Sequence, residues 1–340
     1  MNSGKVTIHD LAKALNIDSS TVSRALNDSP RISKKTKEKI REKAKAMGYQ
    51  RNSLASHLRT NKTYSIGVIV PRLSRNFFSN VISGIEETAY QKGYSVIICQ
   101  SLESLEREKK ILETLLANRV DGILISISMQ TNSLDHLDTF LNYGAPMVFY
   151  DRPCNYKNCT SVSIDDYDAS FRATAHLIEN GCKTIVHFGG PQNIGLYQNR
   201  KNGYIAALNK YGLPVSDALC FETKLSEKDG EDMAKKVLDM GGVDGIYSAN
   251  DTSAISAMQY FKTVGIKVPE QIAIVGFNND PISSVIEPPL TTINQPDYEM
   301  GYTAAAHLIK QIEGRAGNGQ PLVLTSELIV RNSSKFGDTG

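Results

Sequence analysis

The 340-residue chain lacks the marks of several protein classes. No stretch approaches the roughly 18 consecutive apolar residues of a membrane-spanning helix. The opening residues, MNSGKVTIHDLAK, contain no apolar core of the roughly 7–15 residues that a secretory signal needs, so export and a periplasmic solute-binding role are not expected. Cysteine is sparse: Cys99, Cys154, Cys159, Cys182 and Cys220 are odd in number and scattered. Only Cys154 and Cys159 lie close, and no histidine follows them at zinc-site spacing, so free thiols in a reducing cytoplasm are expected and no metal site. The chain has no G-x-G-x-x-G or P-loop glycine pattern, no H-E-x-x-H and no G-x-S-x-G elbow. His9 and His57 are near the N-terminus and His187 is inside an apolar run, so no histidine joins the Asp and Arg clusters described below. Neither an enzyme, such as a sugar-processing one, nor a cofactor is therefore expected.

What is present is a charge asymmetry hidden beneath a net charge of +2. Residues 1–63 carry 14 Lys and Arg against 5 Asp and Glu, a balance of +9. The remainder carries 24 against 31, a balance of −7. A small basic head on an acidic body is the footprint of polyanion binding.

Residues 7–49 read as three short helices. Thr7 caps the first, with Asp10 three residues on, and Ile8, Leu11, Ala12 and Leu15 share one face. Asn16 tolerates the positive φ of a tight turn, Ile17 plugs the interior, and Asp18 or Ser19 caps a helix through Leu26. Ser33 caps a third helix with Ile40, Ala44 and Met47 inward, which Gly48 stops. A small Ala12 at a close helix crossing makes this a helix-turn-helix pattern. Its second helix is the one expected in the major groove of double-stranded DNA. Ser19, Ser20 and Arg24 are the candidate base readers, since Arg grips guanine O6 and N7 with two hydrogen bonds. Thr7, Thr21, Ser23, Asn27, Arg31 and the basic third helix are candidates for phosphate contacts.

From Tyr64 onward, strand-like runs at 66–70, 94–99, 121–127, 146–150, 184–189, 244–249, 272–277 and 324–331 alternate with amphipathic helices near 77–92, 105–118, 167–180, 199–211, 228–240, 252–264 and 297–313. Such alternation predicts an α/β fold of parallel sheets, and too many strands for one ordinary sheet, hence two lobes. Ligands of open α/β sheets sit beyond the C-terminal strand ends, where polar side chains cluster: Asp151-Arg152, Arg200, Asn250-Asp251 and Asn278-Asn279-Asp280. Asp251 and Asn279 also suit helix capping, and Phe77 and Phe78 suit either a ring-stacking wall or the core.

The segments Val6–Lys13, Ser20–Asn27, Met47-Gly48-Tyr49 and Asn52–Arg59 resemble the lactose/galactose/purine repressor family of bacterial transcriptional regulators, and the resemblance extends over nearly the whole chain. In the body it is carried by Gly189-Gly190-Pro191, Arg200 three residues before Gly203, Asn250-Asp251, Gly276-Phe277-Asn278 and Pro289–Ile293. It implies a DNA-binding head at 1–50, a hinge helix and linker at 51–63, and a periplasmic-binding-protein-like core at 64–340. The core would comprise one lobe of about 64–163 and 292–322 and another of about 164–291 and 323–340. It implies that Asn52, Ala55 and Leu58 act at the hinge, Leu58 wedging into the minor groove at the centre of a palindromic operator. Arg51 stands where the family often has proline. The implied effector contacts are Phe77, Phe78, Asp151, Arg152, Arg200, Leu225, Asn250 and Asn278, for a sugar or sugar derivative. Leu225 replaces a residue often aromatic in relatives, and Asn278 one that is usually Asp in sugar binders. Arg72 and Arg75 hint at an anionic ligand group. With no leucine-heptad tail after the last strand, a homodimer is expected. Whether ligand releases or recruits the protein is open at this point.

Overall fold

The computed structural model describes residues 6–49, 62–317 and 319–335. The chain divides into two compact units between Thr63 and Tyr64. In the first, α1 (Ile8–Leu15), α2 (Ser19–Leu26) and α3 (Lys34–Ala46) enclose Leu11, Ala12, Val22, Ala25, Ile40 and Ala44. Eight-residue helices are marginal alone in water, so this shared core and the end caps hold them. The Thr7 hydroxyl accepts from the Asp10 amide at 3.3 Å, and the Asp10 carboxylate accepts from the Thr7 amide at 2.9 Å. This reciprocal box satisfies two otherwise orphaned donors. Asn16 takes the left-handed conformation (φ 53°) that turns α1 into α2. Asp18 occupies the N-cap of α2 without a side-chain capping bond, whereas Ser33 caps α3 by accepting from the Thr36 amide at 3.2 Å.

The second unit contains two six-stranded sheets. β1 (Ser65–Val70), β2 (Ser95–Gln100), β3 (Gly122–Ile125), β4 (Met147–Tyr150), β5 (Thr160–Ile164) and β11 (Leu322–Leu324) form the first, in the order β11-β5-β4-β3-β1-β2, all parallel. β6 (Ile185–Gly189), β7 (Cys220–Glu222), β8 (Gly245–Ser248), β9 (Ala273–Asn278), β10 (Thr291–Asn294) and β12 (Glu327–Ile329) form the second, in the order β12-β10-β9-β8-β6-β7. Only β12 runs antiparallel to its neighbour. The central strands are apolar end to end because helices cover both faces: β1, β3, β4 and β9 bury nearly every residue. The flanking helices are α4 (Asn76–Gln91), α5 (Leu105–Ala117), α6 (Asp138–Asn142), α7 (Asp166–Glu179), α8 (Gly195–Lys210), α9 (Glu227–Met240), α10 (Asp251–Thr263) and α11 (Asp297–Ile312). None of the described helices is long and apolar enough to cross a membrane.

The chain crosses between lobes three times. It leaves the first after β5, returns after β10 to place α11 against α4, and leaves again after β11 to add β12 to the second sheet. Residues 292–294 thus lie in the second sheet and not, as expected, in the first lobe, and the run 324–331 is two strands divided between the sheets. β5, β7 and β10 went unforeseen for physical reasons, β10 because its four residues Thr-Thr-Ile-Asn are mostly polar. β5 reads Thr-Ser-Val-Ser-Ile, whose hydroxyls interrupt the apolar run although every residue is buried, and β7 has three residues at a sheet edge.

Candidate functional site

The head presents α2. Ser20, Arg24 and Asn27, spaced four and three residues apart, are exposed on one side, while Ser19, Thr21 and Ser23 are half-buried beside them. The Arg24 guanidinium has no hydrogen bond or ion pair among the described residues. The Asn27 amide donates to the Ser23 carbonyl at 2.8 Å. The Thr7 hydroxyl meets the Asp10 carboxylate at 2.7 Å, so Thr7 serves first as a cap. Lys37 and Arg41 of α3 bind Asp28 at 2.9 and 3.1 Å and hold its carboxyl below the usual range. That pair braces the turn after α2, leaving Lys34, Lys35, Lys39, Lys43 and Lys45 as cations of α3 without an ion pair among the described residues. Arg31 is exposed on the loop between them. Asn52, Ala55 and Leu58 fall outside the described residues, as does Arg51.

In the second unit, loops after the strands of both sheets converge on a cavity of about 280 Å³. The first lobe supplies Arg72, Arg75, Phe77 and Phe78 after β1, Leu102 and Glu103 after β2, Met129 and Gln130 after β3, and Asp151 and Arg152 after β4. The second supplies Pro191, Leu196, Tyr197 and Arg200 after β6, Lys224 after β7, Ala249 and Asn250 after β8, Asn278 at the end of β9, and Gln295 after β10. Each sheet has the order 2-1-3-4-5 along its first five strands, so each reverses direction beside its first strand, where ligands of such sheets bind.

The polar walls are pre-formed by buried ion pairs. Arg152 binds Glu103 with two hydrogen bonds, of 2.8 and 2.9 Å. Burial alone would raise Glu103, but this guanidinium outweighs it and holds the carboxyl below its ordinary value. The Arg152 Nε is buried without a hydrogen-bond partner, 3.7 Å from Asp151 Oδ2. Asp151 has φ +64°, accepts from the Ser126 hydroxyl at 3.2 Å, and is pushed up by burial. Arg200 donates to Asp166 at 2.8 Å and to the Ala249 carbonyl at 2.7 Å, and its guanidinium lies 3.5 Å over the Phe277 ring. Burial pushes Asp166 up to about 6 against the pull of Arg200. Phe77 and Phe78 serve both expected roles, lining the cavity while buried in the core. Tyr197 adds a third aromatic side chain; a Cβ on Gly190 would lie 2.6 Å from its ring, so only glycine leaves it room.

Two expected contacts prove structural. Asn250 is the N-cap of α10: its oxygen accepts from the Ser253 amide at 2.9 Å and its nitrogen donates to the Leu225 carbonyl at 2.8 Å. It lines the cavity with both ends of its amide occupied. Leu225 does not line the cavity at all. Its side chain is fully buried in the core, and only its carbonyl serves the site, by fixing Asn250. Asp251 is no cap but a buried hub, accepting from the Thr292 hydroxyl at 2.6 Å and the Asp280 amide at 2.8 Å. Asn279 ties loops together, donating to Asn294 at 3.0 Å and accepting from Arg331 at 2.6 Å. Asn278 faces the cavity with its oxygen accepting from Gln295 at 2.8 Å.

The lobes also meet across the cleft. Arg75 donates to the Thr252 hydroxyl, and Asn193 donates to the Met129 carbonyl at 2.8 Å and to Asn132 at 2.9 Å. Glu103, Gln130, Tyr197, Lys224 and Gln295 were missed from sequence. Lys224 and Gln295 follow β7 and β10, so the strand-end rule would have found them had those strands been recognised.

Comparison with known proteins gives concordant results for both units. Residues 7–52 match the profile of bacterial regulatory proteins of the lacI family, and residues 63–331 that of periplasmic binding proteins and the sugar-binding domain of the LacI family. The HTH-type transcriptional regulator DegA of Bacillus subtilis is 32% identical, over 97% of this chain and 98% of its own. The crystal structure of the lac repressor dimer bound to operator and the anti-inducer ONPF superposes with a TM-score of 0.87 at 26% identity, covering 98% of this chain and all of that one. A LacI-family regulator from Enterococcus faecium with bound ribose gives 0.70 at 27% identity, covering 80% of this chain and 98% of that one.

Proposed function

This chain belongs to the lacI family of bacterial regulatory proteins, and from that premise we propose a cytoplasmic repressor whose grip on a palindromic operator is set by a sugar-like effector in the cleft. It is a DNA-binding transcriptional regulator that acts as a dimer, and not an enzyme. The observation that carries the reading of the cleft is the convergence of the strand-end loops of both sheets on one cavity walled by aromatic rings and buried ion pairs. Such a wall binds a polyol through stacking on its rings and paired hydrogen bonds to its hydroxyls. The ribose held by the Enterococcus faecium relative supports the ligand class.

Within the head, Arg24, Ser19 and Ser20 read base edges. Thr7, Thr21, Ser23, Asn27, Arg31 and the lysines of α3 position the head on phosphates. Asn52, Ala55 and Leu58 act at the operator centre, Leu58 as the wedge. In the cleft, Phe77, Phe78, Asp151, Arg152, Arg200 and Asn278 contact the effector, and Asn250 and Leu225 hold the wall. A ligand that touches both lobes favours one lobe arrangement over another, and operator affinity changes by that difference.

Selecting the full-length protein against a random duplex pool near physiological salt, with and without a metabolite extract, tests the proposal. Enrichment of an inverted repeat in either arm is the expected result. Equal binding of all duplexes in both arms, with salt dependence alone, would show a non-specific phosphate binder.

A further inference from the structure

The charges around the cavity are unevenly partnered. Arg152 is matched by Glu103, Arg200 by Asp166 behind it, and Arg75 faces Asp280. Arg72 and Lys224 line the same cavity, and neither has a hydrogen bond or ion pair among the described residues; Arg72 feels the charge of Glu103, which Arg152 already holds in two hydrogen bonds. Arg72 belongs to the first lobe, in the loop after β1, and Lys224 to the second, in the loop after β7.

The inner wall asks for the same chemistry. Arg152 is 4% exposed, and its Nε is a buried donor without an acceptor. It lies 3.7 Å from Asp151 Oδ2, so that carboxylate is drawn to Arg152 and is less available to accept from a ligand. Asn278 lines the cavity with its oxygen engaged by Gln295, so its amide N–H groups are what it has left to offer a ligand. Asn250 has no free acceptor, and Asp151 is the only carboxylate of the wall not held in a two-bond pair. Among its side chains the cavity is therefore rich in donors and positive charge and poor in acceptors, a balance that suits polyol hydroxyls as acceptors and favours a ligand that adds anionic oxygens to them.

We propose that the effector is a polyol bearing an anionic group, phosphate or carboxylate, which sits between Arg72 and Lys224 and so ties one lobe to the other. This rests on the cleft being the effector site. Planar guanidinium and compact ammonium groups both bind such oxygens by charge-assisted hydrogen bonds. With one cation on each lobe, the anion stabilises the closed cleft more than the open one, adding to the bonds that Arg75 makes with Thr252 and Asn193 with Met129. The anionic group is then the part of the ligand that conveys the signal, and the uncharged ring contributes affinity.

The test uses the full-length chain and its Arg72→Ala/Lys224→Ala variant. Thermal unfolding is followed while inorganic phosphate is titrated at constant ionic strength. Phosphate binding by the head is common to both proteins, so the difference between them reports on the cleft. The expected result is apparent phosphate affinity about tenfold weaker in the variant, the loss of a charge-assisted contact or two at a partly solvated site. Identical titrations would overturn the proposal. Calorimetry with glucose, glucose 6-phosphate and gluconate, and with ribose and ribose 5-phosphate, provides the second arm. An anionic member bound at least about tenfold more tightly than its neutral parent is expected, and glucose 6-phosphate against gluconate separates phosphate from carboxylate. A neutral sugar bound more tightly than its anionic counterparts would overturn the assignment. An operator that responds to such a neutral ligand leaves the regulator reading intact, whereas failure to select any palindrome removes that reading while the phosphate titration still reports on the cleft.

Discussion

Arg200 shows how one side chain can be both wall and keystone. Its guanidinium is matched by the buried Asp166 and stacked on Phe277. Arg200→Ala is expected to cost about 3–5 kcal/mol, because it strands a buried carboxylate, while Arg200→Met/Asp166→Leu recovers most of that loss. Urea unfolding of wild type, Arg200→Met, Asp166→Leu and their double variant checks the coupling; an additive cycle would show that the pair is not a unit. His187 makes the complementary case for a buried base. It stacks between Tyr204 and Tyr247, with its Nδ1 at 3.2 Å from the Tyr247 carbonyl, and burial pushes it down to about 3 from an ordinary 6.5. Because the folded value is depressed, its contribution is full above pH 6.5 and is lost as pH falls toward 3. His187→Phe keeps the stack and removes the titration. The fall in unfolding free energy between pH 7 and pH 4.5 should shrink by about 2–3 kcal/mol relative to wild type. An unchanged fall, read from urea midpoints across that range, would mean that His187 is protonated in the folded protein at little cost.

At the scale of elements, the helix-turn-helix was legible because its signals are local. Thr7 with Asp10, Asn16 at positive φ, and Ser33 before α3 each act within four residues. The same holds for strands whose apolar runs follow from burial on both faces, as in Ile66–Val70 or Met147–Tyr150, and hence for Asp151 and Arg152 immediately after β4. β5 was not legible, because Thr160, Ser161 and Ser163 are polar residues buried by tertiary context. The choice of Asn250 over its neighbour Asp251 as the cap of α10 was equally hidden, since Asp251 is drawn instead to Thr292 and the Asp280 amide, which arrive from distant loops. On α2, the exposed Arg24 next to the short Ser20 leads to a test of base reading. Arg24→Ala should cost about 1–3 kcal/mol on the selected operator and relax preference at one position of each half-site, with little effect on random duplex. A uniform loss on all duplexes would make Arg24 a phosphate contact. Leu58→Ala, at the position matching the family's hinge leucine, should weaken binding to the palindrome while the cleft's affinity for its ligand holds. Unchanged operator binding would remove the wedge.

For the whole molecule, function depends on two lobes sharing one chain that passes between them three times, so that neither sheet can shift without loading the three connections after β5, β10 and β11. Those crossings could be placed only approximately from sequence, because Thr291–Asn294 and Leu322–Leu324 are short and their sheet partners are chosen by long-range pairing. The central claim is that occupancy of the cleft sets operator affinity, and the most direct measurement is the dissociation constant of full-length protein for its selected palindrome, at fixed salt, with and without saturating cleft ligand. The account predicts a change of about fivefold or more, the usual scale of allosteric coupling, in wild type. The same dissociation constant with and without ligand would contradict it.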